Sequence, residues 1–187
     1  MVKWKVPGTV IEGTTEEIAS VEERFRAMFL AGGMVLSQVS SITGLESYTI
    51  QNWVKRGFLT SPKQKKYDLN QLCRILNINM LKSVLTMEQI CGLLTYINGH
   101  LDDNSDDIID DSVLYFMFVR LAANHRVMYD PKGRDAYLQQ LLEAYREPVP
   151  GGKERVREVL CIMLTAWAAG QLGKQAVDMV GALNLDS

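Results

Sequence analysis

The chain has 187 residues, 47% of them hydrophobic and 22% charged, with a formal net charge of −2 and a mean hydropathy of −0.03. That is the composition of a globular protein with room for one full core or two small ones, and it speaks against disorder. No apolar run approaches the ~18–20 residues that cross a bilayer, and MVKWKVPGTVIEG at the start lacks a signal-peptide pattern, so a cytoplasmic protein without membrane contact is expected.

Residues 14–30, TTEEIASVEERFRAMFL, read as a first helix. Thr14 or Thr15 is placed to cap it, Glu16 and Glu17 suit its positive end, and Ile18, Val21, Phe25, Met28 and Phe29 form one stripe. Gly32-Gly33 stop it. Leu36, Val39 and Ile42 then give one face of a short helix that Gly44 ends. After the turn GLES, a helix runs over 47–56 with Ser47 as its cap and Gly57 as a left-handed close. FLTSPKQKKYDL reads as a short β-hairpin or extended loop with Phe58, Leu59 and Tyr67 as anchors.

Asp68 caps a helix to about Ser83 with a broad apolar face, and Thr86 with Gln89 forms a capping box for the helix that Asn98-Gly99 end. DDNSDDIIDD is an acidic connector. Its spacing does not fit a calcium loop, and Asp110 and Asp111 suit a helix N-terminus. The run 112–129 reads as a helix apolar nearly all round, which must be covered on most sides. DPKGRD reads as a turn, AYLQQLLEAYRE as an amphipathic helix, and Lys153 to about Leu183 as a long helix with a stripe from Val156 to Val180.

Charge is segregated along the chain. From Met34 to Leu85 seven Lys or Arg face only Glu46 and Asp68, a net of +5, and from Thr86 to Arg120 the net is −6. Cys73, Cys91 and Cys161 are scattered and odd in number, so free thiols are expected rather than disulfides or a zinc site. His100 and His125 have no companions at metal-ligand spacing and read as structural. Nothing resembles a phosphate loop, a catalytic triad or a carboxylate pair, so neither an enzyme, a metal nor a cofactor is expected.

The helix 47–56 carries the sharpest signal. Ile50, Trp53 and Val54 share one face, and Tyr48, Gln51, Asn52 and Lys55 the other. Gln and Asn can pair with adenine edges, and Lys and Arg with guanine or phosphate. Lys63, Lys65 and Lys66 follow in the segment 60–67, where a wing would meet the DNA backbone. The bland alternative is an ordinary solvated helix and loop. The helix order and the cations favour DNA contact, with Trp53 a core residue.

TIQNWVKRGFL, then PKQKKY and an L-x-x-L-x-x-I helix, resembles the winged-helix domain of MerR-type transcription regulators. Residues 34–99 also resemble the bacterial family called domain of unknown function 1836, through M-V-L-S-Q, Q-N-W-V-K-R-G, K-K-Y and the I-N-G end. The MerR resemblance implies a dimer on double-stranded DNA, with Thr49, Gln51 and Asn52 on recognition-helix positions and Lys63, Lys65 and Lys66 on the wing. Gln51 and Asn52 stand where that pattern has Arg and Tyr.

The expectation is a mainly α protein. An N-terminal helix (1–33) precedes a winged helix-turn-helix with one small β-hairpin (34–100) and a C-terminal helical bundle for dimerisation or effector binding (101–187). The expected function is sequence-specific transcriptional regulation through Tyr48, Thr49, Gln51, Asn52, Lys55, Arg56, Lys63, Lys65 and Lys66. The expected partners are double-stranded DNA, a second copy of the chain and an unidentified small-molecule effector. The alternative is a protein–protein interaction module on the same scaffold.

Overall fold

In the computed structural model, which describes residues 3–14, 17–99, 101, 107–124, 127 and 130–183, the chain is mainly helical. It opens with a hairpin that the sequence reading did not contain. Strand β1 (Lys3–Lys5) pairs antiparallel with β2 (Glu12–Thr14), Trp4 opposite Gly13. Strands this short have no readable alternation. Later parts of the chain hold the connecting turn: Asn79 Nδ2 donates to the Gly8 carbonyl at 2.8 Å, and the Tyr115 hydroxyl donates to the Pro7 carbonyl at 2.8 Å. A Cβ at Gly8 would stand 2.4 Å from the Leu76 carbonyl oxygen, so only glycine lets the turn lie this close.

Helix α1 (Ile18–Met28) begins later than the expected 14–30, with Glu17 rather than a threonine at its N-cap. Thr14 belongs to β2, and its amide donates to the Glu17 carboxylate at 2.9 Å. Thr15 and Glu16 lie outside the described residues, as do His100, Asp102, Asp103, Asp106 and His125. Val21 and Phe25 are buried, whereas Met28 is largely exposed.

Strand β3 (Met34–Val35) leads into α2 (Leu36–Thr43), and α3 (Ser47–Lys55) is followed, after a loop, by β4 (Lys66–Tyr67). The expected hairpin within 58–69 is replaced by pairing between β3 and β4, with Met34 opposite Tyr67 and Val35 opposite Lys66. The reason lies in the next helix, α4 (Leu69–Leu81). Its Gln71 Nε2 donates to the carbonyls of Thr60 and Ser61, each at 3.1 Å, and to the Thr60 hydroxyl at 2.8 Å. Leu59 is buried beside it. The segment before the turn is therefore tied down on α4, and β4 finds its partner in β3. The described residues thus contain two small antiparallel sheets where one hairpin was expected.

Helix α4 is capped by Asp68 as expected, and α5 (Met87–Asn98) by Thr86. In each the cap side chain accepts from the third helical amide, and a glutamine, Gln71 or Gln89, accepts from the cap amide. Helix α6 (Asp111–Ala123) is shorter than the expected 112–129 but is buried on nearly every side, as its composition requires. Helix α7 (Pro131–Leu141) begins inside the expected turn DPKGRD. Proline at the first helical position loses no intrahelical hydrogen bond, so it opens the helix rather than blocking it. Helix α8 (Gly152–Gly181) completes the chain.

Helix α4 packs against α2, α5, α6 and α8 and hides ten of its thirteen residues. One buried cluster runs from Trp4 to Trp167. Three polar residues of α4 are buried, Gln71, Asn77 and Arg74. Asn77 is fully buried, and its amide has no hydrogen-bond partner among the described residues. Arg74 is only 7% exposed; its Nε donates to the Phe58 carbonyl at 3.1 Å and its Nη1 to Asp111 at 3.2 Å. Cys73 is buried, and Cys91 and Cys161 are half-buried; all three are free thiols.

Removing one partner of a buried ion pair leaves the other charge uncompensated, which costs about 3–5 kcal/mol. Arg74→Met and Asp111→Leu are each expected to lose that much in urea unfolding. The double variant should lose clearly less than the sum. Additive losses would show that the two side chains are not coupled.

Candidate nucleic-acid interface

Helix α3 is set by its two ends. At its start Ser47 lies inside the first turn rather than capping it, Glu46 being the N-cap residue. The Ser47 hydroxyl instead meets that of Ser40 at 3.0 Å, which locks α3 to α2. At its end Gly57 (φ +73) donates to the Val54 carbonyl at 3.1 Å, and Phe58 donates to the Trp53 carbonyl at 2.9 Å. This pair of bonds is a Schellman close, which needs the left-handed residue that glycine supplies. The Phe58 carbonyl then goes to Arg74, so the exit of α3 is fixed from the core.

The two faces of α3 divide as its spacing predicts. Ile50 and Trp53 are buried and Val54 half-buried. Tyr48, Gln51, Asn52, Lys55 and Arg56 are exposed, Tyr48 at 72%. Thr49 is only half-exposed. Arg56 lies over the Phe58 ring at 4.7 Å, so its guanidinium already has a π-face partner. Lys82 lies over the inner Trp53 ring at 5.9 Å, and partial burial lowers its pKa.

The cationic segment after α3 ends in a strained turn. Lys66 donates to the Lys63 carbonyl at 2.9 Å, and the two central residues, Gln64 (φ +50) and Lys65 (φ +63), are both left-handed. Two positive φ values at the centre of a two-residue turn are the signature of type I′, which ordinarily calls for Asn-Gly. A non-glycine residue there costs roughly 1–2 kcal/mol. The side chains of Lys63, Lys65 and Lys66 are all exposed, and neither they nor Lys55 make an ion pair among the described residues.

The turn and the helix meet. Gln51 of α3 and Lys65 of the turn line one hollow of about 620 Å³, whose floor includes Tyr67 of β4. Tyr67 is buried, and desolvation raises its hydroxyl pKa. The sequence reading missed the rest of this hollow, which Val35, Ser37, Val54 and Pro62 line. They come from three separate stretches that the β3–β4 pairing, the Ser40–Ser47 contact and the Gln71 bonds to Thr60 and Ser61 bring together, and periodicity carries no trace of that.

The arrangement therefore offers amide donors and acceptors on an exposed helix, with cations on an adjacent tight turn. Among the described residues no three His, Cys, Asp or Glu side chains converge where a metal could sit. No described helix is long and apolar enough to cross a membrane.

Residues 29–118 match the model of a family described as a domain of unknown function (DUF1836). That span reaches from the end of α1 into α6, so it contains α3, the turn and both partners of the Arg74–Asp111 pair. The chain is also 31% identical over 118 residues to "Uncharacterized protein YkrK" of Bacillus subtilis (strain 168). The match covers 60% of this chain and 50% of that protein, so the chain spans half the length of its relative. No solved structure matches it.

Replacing Gln64-Lys65 by Asn-Gly should relieve the turn. The variant is expected to gain roughly 1–2 kcal/mol, a rise of a few degrees in thermal midpoint. An unchanged or lower midpoint in a thermal melt would show that Gln64 and Lys65 are not strained there.

Proposed function

We propose that the chain is a sequence-specific binder of double-stranded DNA and acts as a transcriptional regulator, with α3 in the major groove and the Lys63–Lys66 turn on the flanking backbone. The observation that carries this reading is the convergence of Gln51 and Lys65 on one hollow, which puts a base-reading amide and a phosphate-seeking cation side by side. Tyr48, Asn52 and Lys55 extend the reading face, and Arg56, Lys63 and Lys66 add charge. Thr49, half-covered, serves the backbone contact of the helix start. The MerR-like winged-helix arrangement is the framework of this proposal, with β3–β4 and the turn in the place of the wing.

The active form is a homodimer. Helix α6 is used up inside the chain, so the interface falls to the second half of α8. There every residue from Gln171 to Leu183 is exposed. Ala169, Leu172, Ala176, Met179 and Leu183 follow at alternating steps of three and four, the a and d positions of a coiled-coil seam, with Ile162 one heptad before Ala169 and Thr165 at the position between. Leu172, Met179 and Leu183 are 54%, 64% and 65% exposed, which is unusual for large apolar side chains in a row. Two copies so joined would set two α3 helices on half-sites about one DNA turn, ~34 Å, apart.

A second reading, a protein-interaction module on the same scaffold, is favoured by the net charge of −2 and by the neutral Gln51 and Asn52. Salt separates the two. Three to five phosphate contacts per protomer give a dimer 6–10 of them, so affinity for selected genomic fragments should fall about 10³–10⁵-fold between 50 and 200 mM salt. Lys63→Glu/Lys65→Glu/Lys66→Glu should abolish that binding. No enrichment of any fragment, together with indifference to those substitutions, would leave the interaction module standing instead.

The dimer has its own test. Light scattering after gel filtration is expected to give twice the chain mass at micromolar concentration, and Leu172→Glu/Met179→Glu to give the single mass with unchanged helicity. A monomeric wild type would refute the seam.

A further inference from the structure

The hollow beside α3 is more apolar than a DNA-reading surface requires. Val35 and Leu36 form one wall, Val54 and Pro62 the others, and Val35 is 41% exposed despite its size. Direct readout uses few apolar contacts, mainly to thymine methyl groups. A cavity of about 620 Å³ is instead the size of a small-molecule site, and such sites combine apolar walls with a few placed polar groups. Here those groups are the Ser37 hydroxyl, the Gln51 amide and the Lys65 ammonium. Lys65 is the charged member of the lining, and no carboxylate shares it.

The shape is held before any ligand arrives. The β3–β4 pairing fixes Val35 against Lys66, Gln71 holds Thr60 and Ser61 beneath the Pro62 wall, and the I′ turn aims Lys65. The strain at Gln64 and Lys65 has a use in this setting, since a relaxed Asn-Gly turn would lack the cation.

We propose that this hollow binds an amphipathic monocarboxylate, its hydrocarbon part against Val35, Leu36, Val54 and Pro62 and its carboxylate at Lys65. Occupancy withdraws Gln51 and Lys65 from the outer surface. Resting on the DNA reading above, this makes the ligand a competitor of DNA at α3 and the turn. The charge of the site selects the anion, and its apolar walls reject small hydrophilic acids.

Calorimetric titration of the full chain with decanoate, below the concentration at which it aggregates, tests the site directly. One molecule per chain is expected to bind saturably, and acetate not to bind. Lys65→Gln should weaken decanoate by about tenfold and leave the neutral decan-1-ol unchanged. Val35→Trp, on the exposed rim and in a strand that tolerates tryptophan, should fill the hollow and abolish both. Leu172→Glu/Met179→Glu serves as the control for adsorption to the apolar stripe of α8 and should bind as the wild type does. Absence of saturable binding overturns the proposal, as does binding that survives Val35→Trp or is lost in the α8 variant. A competition arm uses a 30-base-pair random duplex at low salt, where decanoate should weaken DNA binding at least fivefold. Decanoate binding by a chain that binds no duplex would support the site and refute the DNA reading; duplex binding without decanoate binding would do the reverse.

Discussion

Arg74 sits where two requirements meet. Its helix packs against α2, α5, α6 and α8, so its side chain points into protein, and a guanidinium there must find acceptors. It takes the Phe58 carbonyl at the exit of α3 and the Asp111 carboxylate at the start of α6. The pair contributes position more than stability. Burial pushes the Asp111 carboxyl above its ordinary 3.8, although the Arg74 charge pulls the other way. An acid with a raised folded pKa holds its proton more tightly folded than unfolded. Between the two values this group's contribution to stability therefore declines as pH rises. The ionised pair at neutral pH is thus carried at some cost, and what it secures is the register between the exit of α3 and the bundle.

Gln71 and Asn79 of α4 act in the same manner on different segments. Gln71 holds the loop at Thr60 and Ser61, and Asn79 Nδ2 reaches the carbonyls of Gly8 and Thr43. Each bond ends on main chain that has no ladder of its own. A strained turn persists only where its surroundings over-determine it. Gln64 and Lys65 satisfy that condition: Gln71 fixes the chain before them and the β3–β4 pairing fixes it after. The exposed face of α3 and the cationic turn are consequently mounted on the core rather than on loops.

What could be read from the sequence followed local rules. The helix ends at Gly44 and Gly57, the caps at Asp68 and Thr86, and the division of α3 into inner and outer faces all depend on residues within one turn of each other. What could not be read depends on distant partners. The β1–β2 hairpin is held by Asn79 and Tyr115, more than sixty residues away. Arg74 counts as a surface cation by composition and is a core residue in fact. Ser47 has the side chain of a cap, but the nearness of Ser40 gives it another bond. DPKGRD reads as a turn, yet Pro131 opens α7, because the place of a proline relative to a helix start is not written in its identity. The hollow beside α3 has no sequence signature, since its walls are contributed by α2, α3 and the loop before β4.

The amides on α3 bear on why pairing matters. Where the MerR-type pattern has Arg and Tyr this chain has Gln51 and Asn52, side chains of a kind that can pair with base edges but neutralise no phosphate. The whole chain carries −2, so long-range attraction to DNA is weak and the cations near α3 act locally. On the DNA reading proposed above, a single α3 with one turn would make only a small and weak contact. In the proposed dimer, joining two copies through α8 would convert the second contact into an intramolecular one and raise affinity without any new cation. On this logic the exposed stripe from Ile162 to Leu183 and the amide face of α3 answer the same problem. In that reading the ligand proposed for Lys65 would act at the most sensitive point, because a chain with few phosphate contacts loses a large share of its grip with each one removed.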